Sequence, residues 1–290
     1  MASEARMNRR SFLVQSAALA LAGSAPLAGF AQSAGRRAPF RPTRFSVEVR
    51  GRGPDVVLIP GLASGRHVWE RAVRDVPGFR YHLVQVGGFA GEPVRGNADG
   101  PVVAPLVAEI ARYIEANGLK RPALVGHSMG GTLAMMVAAQ HPASVGKVMV
   151  VDMMPQPTAL YGGSAASRLA AGLRDMMQDP GGRQLIAGLI TAFSPPDDGD
   201  ARRSNPDVVA RAMHDLGTID LTGDLPRLRM PLTVVYAQRG PESAAATGRA
   251  FAQAYRGARG ARLIAVPDSG HLIMVDQPAR FAGALREFLG

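Results

Sequence analysis

A chain of 290 residues, 47% of them hydrophobic, can bury one full α/β core with an insertion, but not two large domains. It contains no cysteine, which excludes disulfides, thiolate nucleophiles and cysteine-based metal sites. The net charge is +10 and is carried by arginine, with Lys120 and Lys147 the two lysines. The arginines are scattered among small apolar and acidic residues, without a basic stripe or a reader motif, so no nucleic-acid partner is expected.

In chain order, the first feature is Asn8-Arg9-Arg10-Ser11-Phe12-Leu13, followed by an apolar stretch from Ala17 to Phe30. Paired arginines ahead of a moderately hydrophobic Ala/Leu/Gly run resemble a twin-arginine export signal. The run is too short, and too interrupted by Gly and Pro, to pack as a first helix. Small residues at Gly29 and Ala31 suit cleavage after Ala31. Residues 1–31 are therefore expected to be a signal that engages the twin-arginine export machinery, and residues 32–43 a loose leader. The mature chain would be periplasmic or secreted, with no membrane span.

From residue 44, apolar runs bounded by turn residues alternate with helical stretches. Strands are predicted at Phe45–Arg50 (an early edge strand), Asp55–Ile59, Tyr81–Val86, Ala123–Val125, Lys147–Val151, Leu232–Tyr236 and Arg262–Val266. Helices are predicted over 102–117, with Val103, Leu106, Ile110 and Ile114 on one face, and over 132–140 and 278–289. The stretch between Asp152 and Leu232 has no strand character and is too long for an ordinary crossover. Its helical pieces are Ala165–Met177, Gly182–Ala192 and Pro206–Leu216. The expectation is a mostly parallel sheet with helices on both faces, built from residues 44–152 and 231–290, with an inserted helical cap over 153–230.

Gly126-His127-Ser128-Met129-Gly130 fits G-x-S-x-G between a predicted strand and a predicted helix. Such a sharp turn exposes the serine hydroxyl above the sheet, and the helix that follows turns its first amides toward developing negative charge. With these residues, Pro60-Gly61 early in the chain and Gly270-His271 near its end, the sequence resembles the α/β-hydrolase family over nearly all of the mature chain. The resemblance implies Ser128 as nucleophile and His271 as the base that takes its proton. It also implies an oxyanion hole made by the backbone N–H groups of Leu62 and Met129. Pro60 replaces the family's usual His. Serine rather than Asp at 128 argues against the dehalogenase and epoxide hydrolase branches, which need a carboxylate nucleophile.

Family members usually carry the third group, an Asp, a few residues past the strand predicted here at Leu232–Tyr236, where this chain has Gly240. Asp152 ends the strand after the nucleophile strand. Adjacent parallel strands lie about 4.8 Å apart, so the tips bearing Ser128 and Asp152 should be neighbours. Asp152 is the preferred acid, with Glu242 next and then Asp268 or no acid at all as alternatives. Trp69 follows the oxyanion loop, where relatives put an aromatic beside the acyl site, although a lone Trp equally fits core packing. Met153 and Met154 begin the cap and suit an adaptable apolar pocket. No metal constellation, phosphate loop or cofactor motif is visible. The expected activity is cleavage of a small apolar carboxylic ester or lactone through an acyl-enzyme. C–C bond hydrolysis, acyl transfer on the same residues and ligand binding without catalysis remain the alternatives.

Overall fold

Along the central strands, alternate side chains enter two different cores. In a computed structural model describing residues 40–160 and 199–290, seven strands form one sheet: β1 (Phe45–Gly51), β2 (Asp55–Ile59), β3 (Arg80–Val86), β4 (Ala123–His127), β5 (Lys147–Val151), β6 (Leu232–Gln238) and β7 (Arg262–Pro267). Their order is β1-β3-β2-β4-β5-β6-β7. All neighbours are parallel except β1, which runs antiparallel to β3 at the edge. Val57, Ile59, Leu124, Val148, Val150 and Val234 face the larger core, while Val56, Leu58, Val125, Met149, Val151 and Val235 face the smaller one. Burial on both faces is why these strands read as continuous apolar runs rather than as an alternation.

The helices are α1 (Glu70–Asp75), α2 (Val103–Ala116), α3 (Met129–Gln140), α4 (Pro157–Leu160), α5 (Gly199–Arg203), α6 (Pro206–Thr218), α7 (Pro241–Ala254), α8 (Ile273–Asp276) and α9 (Pro278–Leu289). The larger core takes α2, α3 and α6, and the smaller takes α1, α8 and α9. On α2 the four apolar positions Val103, Leu106, Ile110 and Ile114 are all buried, as one stripe of an amphipathic helix requires. The expected signal and most of the expected leader lie outside the described residues, as do the expected helices Ala165–Met177 and Gly182–Ala192. Of the insert, 153–160 and 199–230 are described, and they contain α4, α5, α6 and a 3-10 turn at Leu225–Arg227. Among the described residues no helix is long and apolar enough to cross a membrane.

Besides the short helices α1, α4, α5 and α8, which were not among the predicted elements, two features depart from the sequence expectation. Helix α3 begins at Met129 rather than at Thr132, so it starts directly after Ser128. Helix α7 had no counterpart in the predicted elements. Six of its 14 residues are Ala, and Phe251 is its one buried residue, so it offers almost no apolar stripe to read.

Candidate active site

Strand order reverses at β2: β3 lies on one side of it and β4 on the other. In open α/β sheets the crevice beyond such a switch point, at the carboxyl ends of the strands, is where ligands bind. Here Ile59 is opposite Gly126 and His127 is opposite Val151. The register therefore brings Pro60-Gly61-Leu62, Ser128 and Asp152 out together at the carboxyl ends of the central strands.

Ser128 has φ 52° and ψ −122°, a left-handed conformation that costs a non-glycine residue about 1–3 kcal/mol. Three backbone hydrogen bonds hold it there. Its amide donates to Val151 O (2.9 Å), and its carbonyl accepts from the amides of Gly131 (2.8 Å) and Thr132 (3.2 Å). The turn is tight enough that a Cβ on Gly126 would run into the carbonyl of Gly130, so position 126 admits only glycine without rearrangement. Ala63, Asp152 and Asp268 also have positive φ. Each of the four strand tips that build the site thus carries one left-handed residue other than glycine.

Asp152 and His271, 119 positions apart, meet with Asp152 Oδ2 2.7 Å from His271 Nδ1. The other carboxylate oxygen accepts from the Ala237 amide at 2.9 Å, and the Asp152 amide donates to Val235 O at 2.7 Å. A carboxylate on Nδ1 places the ring hydrogen there and leaves Nε2 as a proton acceptor. Among the described residues no hydrogen bond joins Ser128 Oγ to this ring, a contact that in such sites often closes only with substrate present. Glu242 is exposed on the first turn of α7, and Asp268 sits in the turn after β7, where its backbone carbonyl accepts from Gln277 Nε2 at 2.7 Å.

The two amides expected to face an oxyanion have no other acceptor among the described residues. Met129 N is the first amide of α3, which has no intrahelical partner, and Leu62 N lies in the turn after β2. Trp69, expected beside the acyl site, is wholly buried and packs on Phe281 with ring centroids 5.9 Å apart in the smaller core. Met153 is buried in the larger core. Met154 lines a cleft of about 680 Å³ with Ala159, Leu225, Gln156, Gln253 and Arg256, and neither Ser128 nor His271 is part of that lining.

Several supporting contacts gave no sign in the sequence. Buried Tyr255 donates its hydroxyl to Met153 O at 2.7 Å, just beyond Asp152. Burial first, and the Asp152 charge second, push that phenol well above its usual pKa, so it remains a donor. Asp276 accepts the Gly270 amide at 2.8 Å and orders the loop that carries His271. Asp200 on α5 accepts the Gly65 amide at 2.6 Å, tying the insert to the segment behind Leu62. Such pairs join distant loops, and no local spacing announces them.

A serine on a strained strand-to-helix turn, an Asp-paired histidine and two amides free to bind an oxyanion, at the switch point of a parallel sheet, together define the α/β-hydrolase class. The chain belongs to the alpha/beta hydrolase family, whose sequence model matches residues 56–284. It is 27% identical over 211 residues to the pimeloyl-acyl-carrier-protein methyl ester esterase of Vibrio vulnificus, a match covering 66% of this chain and 78% of that protein. Among solved structures it is similar to a hydrolase from Pseudomonas aeruginosa (TM-score 0.67, 21% identity, 85% of this chain and 94% of that one). It is also similar to the enol-lactonase of Burkholderia xenovorans (TM-score 0.65, 18% identity, 84% and 96%). At these identities the structural likeness concerns the fold.

Proposed function

We propose that this protein hydrolyses a carboxylic ester or lactone with an apolar acyl part through an acyl-enzyme on Ser128. The observation that carries the reading is the 2.7 Å contact between Asp152 Oδ2 and His271 Nδ1, which leaves Nε2 as the ring's proton acceptor. Ser128 Oγ bonds to the substrate carbonyl carbon while His271 Nε2 takes its proton, and the carbonyl oxygen becomes an oxyanion held by the Leu62 and Met129 amides. One such donor contributes roughly 10²–10³ in rate. The carbon–oxygen bond to the leaving group then breaks, and His271 returns the proton to the departing alkoxide. Water repeats the sequence to free the acid and restore Ser128. Asp152 holds the Nδ1–H tautomer and stabilises the imidazolium that forms in each half.

The ester class draws support from the esterase named among the relatives, and the apolar preference from the methionines Met153 and Met154 that follow Asp152. A fluorophosphonate probe is expected to label Ser128 alone, and p-nitrophenyl esters to be cleaved, with kcat/KM rising from acetate to hexanoate. Absence of labelling would favour a non-catalytic ligand binder. Products that become esters whenever an alcohol is supplied would favour acyl transfer.

We also propose that the chain is exported by the twin-arginine route, on the strength of Arg9-Arg10 and the apolar run behind them. Changing both arginines to lysine is expected to leave the protein in the cytoplasm with its leader uncleaved. Undiminished periplasmic recovery of that variant would rule the route out.

A further inference from the structure

The reaction above makes no use of His127, whose ring lies against the base itself. The residue is 2% exposed, and its ring centroid is 4.6 Å from that of His271. Its Nε2 lies 2.9 Å from the backbone carbonyl of His271. A carbonyl oxygen can only accept, so Nε2 carries the hydrogen and Nδ1 is a bare acceptor. That Nδ1 is buried and has no partner among the described residues. An unsatisfied buried polar atom costs roughly 1–3 kcal/mol, and G-x-S-x-G leaves this position open to any side chain. An imidazole with one idle nitrogen is therefore a poor choice for packing alone. The ring also touches the oxyanion segment: a Cβ on Gly61 would come within 2.8 Å of Nδ1 and 3.1 Å of the Ser128 Cβ.

We infer that His127 is a positioning residue for His271, its Nε2–H anchoring the main-chain carbonyl of the base so that the catalytic ring is held at two points. The inference rests on the reading of His271 as base. Asp152 alone would leave the ring free to swing about the Nδ1···Oδ2 axis. The carbonyl anchor removes that freedom from the main-chain side, while the Asp276 contact with the Gly270 amide steadies the residue before it. His127 can do this without competing for the proton. Burial foremost, and then the neighbouring His271, hold its imidazole well below the usual histidine range, so it stays neutral when His271 becomes charged. Ground-state binding of substrate does not involve the anchor, so its loss appears in kcat and not in KM.

The test uses the full chain, p-nitrophenyl butyrate as substrate, and rates normalised to sites titrated to completion with a fluorophosphonate. His127→Leu removes the donor, His127→Asn holds its amide too close to the main chain to reach the carbonyl, and His127→Gln extends an amide N–H to the place of Nε2. Displacement of a reacting group by about 1 Å can cost roughly 10²-fold, so kcat is expected to fall by about 10–100-fold in the Leu and Asn variants with KM within about twofold. His127→Gln should recover most of the loss. If His127→Leu does not fold, the Asn and Gln pair still carries the comparison. Equal kcat per titrated site in Asn and Gln, whether both native or both impaired in step with their melting temperatures, would overturn the anchor and leave a packing role. His271→Ala is the control for the underlying reading. Should that variant keep wild-type kcat, His271 is not the base and the anchor falls with it. If it is inactive while His127→Leu and His127→Asn are unimpaired, only the anchor is lost.

Discussion

Replacing Ser128 by alanine is expected to lower turnover of an aryl ester by about 10⁶, replacing His271 by alanine about as much, and the double replacement little more. Nucleophile and base act as one unit. Without Nε2 the serine hydroxyl has no acceptor for its proton, and without the hydroxyl the base has nothing to activate, so the second removal takes away something already idle. Roughly 10³-fold acceleration over water should survive in every variant, because the Leu62 and Met129 amides still await an oxyanion. The measurement is kcat under saturating ester, with the melting temperature recorded alongside. Neither change should unfold the chain, since Ser128 is held by backbone hydrogen bonds that alanine keeps, and the His271 ring is partly exposed. Near-native kcat in either single variant would remove these two residues from the chemistry.

The strands were the most legible part of the fold, for a definite reason. Asp55–Ile59 and Lys147–Val151 keep their predicted limits because burial on both faces demands unbroken apolar runs, which end where Pro60 and Asp152 turn the chain. The start of α3 was less so, since Met129-Gly130-Gly131 resembles a turn. Tertiary packing overrides that propensity: a Cβ on Gly131 would meet Val150 Cγ1 at 2.9 Å, so small residues let the helix press onto β5. In the candidate site, the elbow is a local pattern and could be read directly. The nearness of Asp152 to it followed from strand adjacency alone. The roles of Tyr255, Asp276 and Asp200 could not be read, because each makes its contact across loops whose course depends on the finished fold.

Asp152→Asn is expected to keep the fold and lower kcat by about 10⁴, through the tautomer of His271. The reason lies in the second contact of the carboxylate. The Ala237 amide can only donate, and it reaches Oδ1 at 2.9 Å, so an asparagine must turn its one carbonyl oxygen to Ala237 and its NH₂ to His271. That NH₂ donates to Nδ1, which drives the imidazole hydrogen onto Nε2, and a protonated Nε2 cannot accept from Ser128. Both side-chain contacts survive, the one to Ala237 unchanged and the one to His271 with its polarity reversed, so the melting temperature should stay near that of the wild type while kcat collapses. Asp152→Ala would instead orphan the buried Ala237 amide, at a cost of roughly 1–3 kcal/mol, and lose stability as well as rate. Glu242→Gln supplies the contrast. Glu242 is exposed on the first turn of α7, and its neutralisation should change kcat by less than about twofold, as for most surface positions. The comparison is decided by which single variant is crippled. A slow Glu242→Gln enzyme beside a competent Asp152→Asn enzyme would put the acid after β6, and would mean that the α7 turn moves toward His271 when substrate binds.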